Sequence, residues 1–516
     1  MRKFFITIML IAAASAARSG EPDLIPLPAK IERHAGQFFL NDQTVVVADG
    51  PFTNETGLIA AELRLAEESR AETNRILLTT REAEGLGGEA YRLEINGQGV
   101  TIRSLSTAGA FYGCQTLRQL VAAGTRQVPF VTIEDAPRYA WRGLMLDVSR
   151  HFFDRPTILR LLDWMADYKL NRFHLHLTDD PAWRMESGKY PVLTQIGARG
   201  NYSDTNAPPQ FFARAEMREM IEYAARRHIV IVPEVDMPGH ASAATRALPQ
   251  LDGGLHTFNP ARKETYDFIQ DVLLETMETF PSTWIHLGGD EVNCSAWSQD
   301  AEVMKELQAD GMKDAQKLEG AFVNRWFGFV KSHGRAPAGW DDIVAANPES
   351  DAVIFWWRHD KPEILLQALR AGHPVVLAPR SPFYWDYPQD KTYPTTGWKL
   401  FNTAEAVYRG PAIPTNTPPE QLKQILGVEG CVWTEHIASV PYLEFMTMPR
   451  LAALSEMAWT PDARRDFAQF KVRLKPFLKQ YQRHGIHYYD EADPAGTLRD
   501  AQSSYRVAPK SSESKP

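Results

Sequence analysis

The chain has 516 residues, 44% of them hydrophobic and 23% charged, with a formal net charge of −8. That is enough apolar material for a large core in more than one domain, which excludes a disordered chain, and the mild acidic balance without any Lys/Arg-rich run or aromatic-basic stripe excludes a nucleic-acid surface. Three cysteines, Cys114, Cys294 and Cys431, are too sparse and odd a set for a disulfide scaffold, so the fold is not expected to depend on them.

The N-terminus carries Arg2 and Lys3, an apolar run from Phe4 to Ala14 and the small residues Ala14-Ser15-Ala16-Ala17. These are the three regions of a secretory signal peptide, assigned to residues 1–17. The run is too short to span a bilayer comfortably, and no later segment qualifies, so export without stable membrane insertion is expected: to the periplasm or the exterior if the source is bacterial.

Residues 18–137 read as a small α+β domain. Thr44 to Ala48 is a strand, while Tyr91 to Ile95 and Val100 to Arg103 alternate around the turn Asn96-Gly97-Gln98-Gly99. A helix is expected from Thr107 to Ala122, in which Gly109 and Gly113 share a face and allow close packing on the sheet.

Residues 138–486 alternate short apolar strands with amphipathic helices. Eight strands are expected, at Gly143–Val148, Arg172–Leu177, Ile229–Val235, Thr283–Leu287, Ala336–Gly339, Ala352–Trp356, Pro374–Ala378 and Ile425–Val432. Helices are expected at Pro156–Tyr168, Ala215–Arg227, Lys263–Thr279, Lys317–His333, Glu363–Ala371 and Leu443–Ala458, with an irregular connection after the seventh strand. Eight such units make a (β/α)8 barrel, whose sites gather at the C-terminal ends of the strands. Residues 487–516 are rich in Asp, Ser and Lys and read as a disordered tail.

Polar and aromatic residues fall at those strand ends: Asp147 and Arg150, Asp179 and Asp180, Glu234, Asp236 and His240, Asp290 and Glu291, Trp340 and Asp341, Trp357, Tyr384 and Asp386, Trp433 and Glu435. The most informative run is His286-Leu287-Gly288-Gly289-Asp290-Glu291, in which a glycine pair lets a ligand approach the backbone and two adjacent carboxylates follow. Neighbouring carboxylates separate into one ionised and one protonated group, which is what glycoside cleavage requires. As a structural alternative, an Asp-Glu pair can simply cap a helix.

Four ordered motifs carry a family resemblance: Trp141 to Phe152 (WRGLMLDVSRHF), His174-Leu175-His176-Leu177-Thr178-Asp179-Asp180, Pro233 to His240 (PEVDMPGH), and the His-x-Gly-Gly-Asp-Glu run at 286–291. From the first domain to about residue 485 the chain resembles the β-N-acetylhexosaminidases of glycoside hydrolase family 20. The resemblance implies a non-catalytic α+β domain before a catalytic barrel, and release of terminal GlcNAc or GalNAc from β-linked glycans with retention, without metal or organic cofactor. It implies Glu291 as general acid/base. The nucleophile would be the substrate's own acetamido oxygen, with Asp290 accepting the acetamido N–H and stabilising the oxazolinium, and Tyr384 donating to the carbonyl oxygen. It further implies Trp340, Trp357 and Trp433 as pocket walls, with Trp356 open as the alternative to Trp357. Arg142, Asp386 and Glu435 become sugar-hydroxyl clamps, and Asp179 or Asp180 with His240 orients Glu291.

Two rival readings stand beside it. A metal-dependent barrel hydrolase would use His174 and His176 as ligands, although inward histidines can equally bond to neighbours inside a barrel. A glycan-binding protein without catalysis would use the same tryptophans and carboxylates but would not need Asp290, Glu291 and Tyr384 together. Whether the natural glycan is a chitin oligomer, an N-glycan antenna or another conjugate depends on loop shape.

Overall fold

The computed structural model describes residues 22–121, 126–309, 312, 314–391 and 400–503. The expected signal peptide and residues 504–516 of the expected tail lie outside the described residues. The chain divides into two compact units, one made by the residues through Arg138 together with Trp459–Gln480, the other by Tyr139–Ala458 together with the residues from Tyr481 onward.

The first unit is built on seven strands: β1 (Lys30–Phe39), β2 (Val45–Asp49), β3 (Ala66–Glu67), β4 (Arg75–Thr79), β5 (Tyr91–Asn96), β6 (Gly99–Arg103) and β7 (Gln127–Asp135), in the order β1-β7-β5-β6-β4-β2-β3. The expected hairpin is present, with Asn96 opposite Gly99. Helix Thr107–Val121 packs on it as the glycines foretold: a methyl on Gly113 would stand 2.6 Å from Ile102, and one on Gly109 2.3 Å from the Ala90 carbonyl. β1 escaped the pattern because it is an edge strand exposed along most of its length and carries no apolar alternation. Residues 459–480, expected in the barrel, belong to this unit instead. The Trp459 indole donates to Asp135, the Thr460 hydroxyl to the Leu27 carbonyl and Arg473 to the Leu24 carbonyl.

In the second unit, eight strands close into a barrel: β8 (Trp141–Asp147), β9 (Arg172–His176), β10 (Val230–Glu234), β11 (Trp284–His286), β12 (Ala336–Trp340), β13 (Val353–Trp356), β14 (Val375–Leu377) and β15 (Ile425–Val432). Each pairs in parallel with the next, β15 pairs with β8, and all eight coincide with the expected runs. Strands buried on both faces read as continuous apolar segments, which is why they were legible. Trp141, Met145, Val232, Ala338, Phe355, Val376 and Cys431 fill the interior.

Helices Arg155–Asp167, Arg214–Ala225, Lys263–Thr279, Ala315–Ser332 and Pro362–Ala371 follow their strands as expected. The expected helix Leu443–Ala458 is two, Val440–Thr447 and Arg450–Trp459, separated at Pro449, which has no N–H to continue the ladder. The tail expectation fails over its first part. Pro494–Ser503 is a helix that packs on Val440–Thr447, with Leu498 and Ala501 buried. Its start signal is Asp493, which accepts the Gly496 N–H at 3.0 Å just ahead of a proline in the first turn. All three cysteines are free thiols.

Candidate active site

β11 ends at His286, and the chain turns sharply so that the next two carboxylates face the barrel mouth. Gly288 and Gly289 adopt φ of 65° and 88°, and Glu291 itself 52°. The glycines make room for protein, not for a ligand. A methyl on Gly288 would lie 1.8 Å from the Asp236 carboxylate, and one on Gly289 would lie 2.5 Å from Ile343. Asp236, at the end of β10, accepts the Gly289 N–H at 3.2 Å and so pins the turn. Burial first, then the neighbouring Asp290, pushes its carboxyl well above the usual range.

A cavity of about 250 Å3 opens over this turn, lined by Arg150, His240, Asp290, Glu291, Trp357, Arg380, Tyr384, Asp386, Tyr387, Trp433 and Glu435. It draws residues from beyond the ends of six of the eight strands, all but β9 and β12. Its volume is below the roughly 300 Å3 at which sites for drug-sized ligands begin, a size that suits a single small ring. Glu291, with a side chain 62% exposed, stands at its rim and also borders a larger cavity of about 660 Å3 whose walls include Gln316, Asn324, Asp342 and Arg358. The smaller cavity has aromatic walls suited to the C–H faces of a sugar; the larger mixes charged and amide groups with aliphatic residues such as Val292, Val344 and Ile364.

The electrostatics separate roles. Partial burial, then Asp290, raises the Glu291 carboxyl above its usual range. His240 places Nε2 3.5 Å from Asp290 and 3.9 Å from Glu291. Burial disfavours the charged imidazole, yet Asp179 and Asp290 hold it well above the usual range. Both candidate aspartates meet His240: Asp179 is hydrogen-bonded to its Nδ1 at 3.2 Å, and Asp180 lies 3.5 Å from the same nitrogen. Despite burial, Arg150 and then His240 keep Asp179 well below the carboxylate range.

Tyr384 is buried, and burial, then Cys431 and Asp290, keeps its phenol protonated. Its ring lies parallel to Trp357, centroids 6.3 Å apart. Trp357 is the residue of its pair that lines the cavity, its indole donating to Asp342 at 2.8 Å, while Trp356 is buried within β13. Trp340 is almost wholly buried and stands one layer deeper, 5.7 Å behind Trp433. Burial pushes the carboxyls of Asp386 and Glu435 upward, Asp386 further through the nearby Glu435 and Glu435 against the lowering effect of Arg150, and among the described residues one oxygen each on Asp290, Asp386 and Glu435 is buried without a protein partner. Buried acceptors in this state suit a ligand that brings hydroxyl or amide donors.

Arg142 is not in this site. It lies at the N-terminal end of β8, about 17 Å by strand rise from Asp147, and donates to the carbonyls of Lys169 and Tyr139, each at 2.8 Å. The arginine at the cavity is Arg150, just beyond the other end of the strand: 2.6 Å from Asp179, 3.9 Å from Glu435 and 5.0 Å over the Trp433 ring. Arg380 and Tyr387 also line the cavity without having been singled out by a motif. Arg380 stands just after β14, so strand-end position was its available signal. His174 and His176 face the barrel interior, where His174 meets Glu429 at 2.8 Å and His176 meets Glu234 and Asp179 at 2.6 and 2.8 Å. These are the contacts of the inward-bonding reading, although His174 with Glu234 and His286, and His176 with Glu234 and Asp236, also bring ligand atoms close enough together to hold a metal ion.

Comparison with known proteins agrees in family. Residues 139–462 match the glycosyl hydrolase family 20 catalytic domain and residues 21–136 its domain 2. A β-hexosaminidase of Porphyromonas gingivalis is 32% identical over 500 residues, covering 90% of this chain, which spans 64% of that protein's length. A β-N-acetylhexosaminidase of Cellulomonas fimi is 32% identical over 504 residues, 91% of this chain and 96% of that protein. Among solved structures, the family 20 exo-β-N-acetylglucosaminidase of Vibrio harveyi bound to N-acetylglucosamine superposes with a TM-score of 0.84 at 29% identity, over 91% of this chain and 78% of that one. That of the Streptomyces coelicolor β-N-acetylhexosaminidase gives 0.81 at 31% identity, over 92% and 100%. The chain belongs to glycosyl hydrolase family 20.

Proposed function

We propose that the protein is an exo-acting, retaining β-N-acetylhexosaminidase that releases a terminal GlcNAc or GalNAc from β-linked glycans through the substrate's own acetamido group. The observation that carries this is the position of Glu291, a carboxyl held above its usual range, at the rim of a one-sugar cavity and beside Asp290. A general acid must reach the glycosidic oxygen, which lies where the enclosed sugar meets its leaving group. Asp290 accepts the acetamido N–H and stabilises positive charge as the oxazolinium forms; Tyr384 donates to the carbonyl oxygen that attacks. Holding that oxygen beside the anomeric carbon makes the step intramolecular, worth as much as roughly 7 to 11 kcal/mol at the best-oriented limit. Glu291 then takes a proton from water as it opens the ring. Arg150, Asp386 and Glu435 clamp sugar hydroxyls, while Trp357 and Trp433 enclose the ring and the acetyl methyl.

The test is turnover of a chromogenic N-acetyl-β-glucosaminide, with chelator present, followed by a series in which the acetyl methyl carries successive fluorines. Fluorine withdraws electrons from the attacking oxygen, so turnover must fall steeply along the series, and a thiazoline mimic of the cyclic intermediate must bind far more tightly than substrate. No turnover at all would leave a glycan-binding protein. Sensitivity to the chelator would favour the metal-dependent rival, and an inverted first product would overturn the mechanism.

The Arg2-Lys3, Phe4–Ala14 and small-residue pattern supports export of this enzyme to the periplasm or exterior, with an N-acetylhexosaminide glycan as its substrate there. No helix among the described residues is long and apolar enough to cross a membrane. Retention of a reporter fused behind residues 1–17 in the cytoplasm would refute the export reading.

A further inference from the structure

The barrel interior holds two fully buried glutamates, Glu234 at the end of β10 and Glu429 on β15, each bonded to an imidazole and an indole. Glu429 takes the His174 ring at 2.8 Å and the Trp141 N–H at 2.9 Å. Glu234 takes the Trp340 N–H on one oxygen at 2.8 Å and His176 Nδ1 on the other at 2.6 Å, with His174 and His286 each a further 3.0 Å contact. The two clusters look alike in composition. They differ in where their partners lead.

From Glu234, two paths reach the catalytic cavity. His176 presents its second nitrogen to Asp179 at 2.8 Å, and the other oxygen of Asp179 meets His240, which faces Asp290 and Glu291. Along the second path, Trp340 backs Trp433, a cavity wall, which the edge of the His176 ring also meets at 5.0 Å. Among the described residues, neither His174 nor Trp141 touches a cavity-lining side chain; His174 approaches the cavity only at one remove, through Glu234 and Trp340.

We propose that Glu234 and His176 are positioning residues for the reaction: one carboxylate holds the tryptophan behind the cavity wall and the imidazole that sets Asp179 against His240. This rests on the assignment of Asp290 and Glu291 as the acid pair. A ring between two carboxylates donates from both nitrogens and has no tautomeric freedom, so Asp179 receives a hydrogen bond in one fixed direction. A glutamine at 234 has one acceptor oxygen where the carboxylate has two. If that oxygen keeps the Trp340 N–H, the amide N–H2 confronts the His176 N–H, and if it keeps His176, Trp340 loses its anchor. Either way one path is cut. Arg150 also grips Asp179 at 2.6 Å, so the cut loosens the acid pair without releasing it.

The experiment compares Glu234→Gln with Glu429→Gln in the full chain, reading kcat and KM on an N-acetyl-β-glucosaminide, affinity for the thiazoline mimic, and the melting temperature. Comparable losses in melting temperature are expected, because each variant removes a buried carboxylate from an imidazole and an indole. In Glu234→Gln, kcat should fall 10- to 100-fold with KM within threefold, and thiazoline affinity should weaken by the same order as kcat/KM. In Glu429→Gln, kcat should stay within threefold. Equal kinetic losses in the two variants, or a Glu234→Gln defect confined to melting, overturn the proposal. Should Glu234→Gln not fold, His176→Asn replaces it and must show the same split; wild-type kcat in that variant, or failure of both to fold while Glu429→Gln folds, also overturns it. Failure of the functional assignment is distinguishable, because the wild-type enzyme would then not turn over the substrate.

Discussion

The two ends of the barrel use the same residue types to opposite effect. Near the N-terminal end, Arg142 is bonded to backbone carbonyls, and in the interior Glu429, His174 and Trp141 satisfy one another. At the mouth, Arg150 grips Asp179 but reaches Glu435 only at 3.9 Å, His240 stands 3.5 Å from Asp290, and among the described residues carboxylate oxygens of Asp290, Asp386 and Glu435 are buried without protein partners. Buried polar atoms without a hydrogen-bond partner also occur in the core, as at Trp356 and Trp385, so what distinguishes the site is that such atoms belong to side chains lining a cavity. Residue type alone does not separate Arg142 from Arg150.

The comparison breaks most easily at Glu291. Replacing it by glutamine keeps the shape of the mouth and removes the proton donor, so turnover of a natural disaccharide should fall by roughly 10² to 10⁴, with less loss on aryl glycosides whose leaving groups need no proton. Near-normal hydrolysis of the disaccharide by a folded Glu291→Gln enzyme would remove the acid from the site and leave its raised carboxyl unexplained.

The arginines sharpen it. Arg150→Met should lose about 10- to 10²-fold in kcat/KM, the effect of one or two charge-assisted hydrogen bonds. Arg142→Met should hold its kinetic constants and lose stability instead, because the Lys169 and Tyr139 carbonyls lose their donor at about 1–3 kcal/mol each. Kinetics and a denaturant melt on both variants decide it: a kinetic loss in Arg142→Met at unchanged stability would restore the sugar-clamp role that the geometry denies it.

The barrel was legible in the sequence because strands buried on both faces leave unbroken apolar runs, and the site because polar residues interrupt those runs at one end only. Chain order placed Arg150 at the mouth and Arg142 ahead of the first barrel strand; the clamp role went to Arg142 through the resemblance alone, whose motif at 141–152 contains both arginines. The glycines of 288 and 289 were visible as a requirement for a close approach, but a sequence does not say that the approaching atoms are those of Asp236 and Ile343. Trp340 and Trp433 are both strand-end tryptophans, and only packing places one behind the other. Residues 459–480 continue the helical pattern of the barrel and cannot announce that Trp459 bonds to Asp135, 324 positions earlier.

A pH profile tests the mouth alone. Glu291 must be protonated to act, so activity should fall as pH rises through its raised value, giving the alkaline limb of kcat/KM. Asp290 is one cause of that elevation. In Asp290→Asn the limb should therefore move to lower pH, in whatever activity remains. A limb that stayed in place, or moved up, would assign it to another group.

The smallest effect lies in the interior. Burial disfavours a charged His174, yet Glu429 and Glu234 raise it from the usual 6.5 to about 9. A folded value above the unfolded one means that the protonated ring's contribution is complete below about pH 6.5 and is lost as pH rises through about 9. The melting temperature should accordingly decline by a few degrees between these values. Removing one of the two anions in Glu429→Gln lowers the folded value toward the unfolded one, so the decline should flatten. Glu429 is joined to the cavity only at one remove, through His174 and Glu234, so the alkaline limb of activity should not follow it. A flat melting profile in the wild type, or an activity limb that shifts together with the melting curve in Glu429→Gln, would show that interior and mouth titrate as one system and would dissolve the distinction between them.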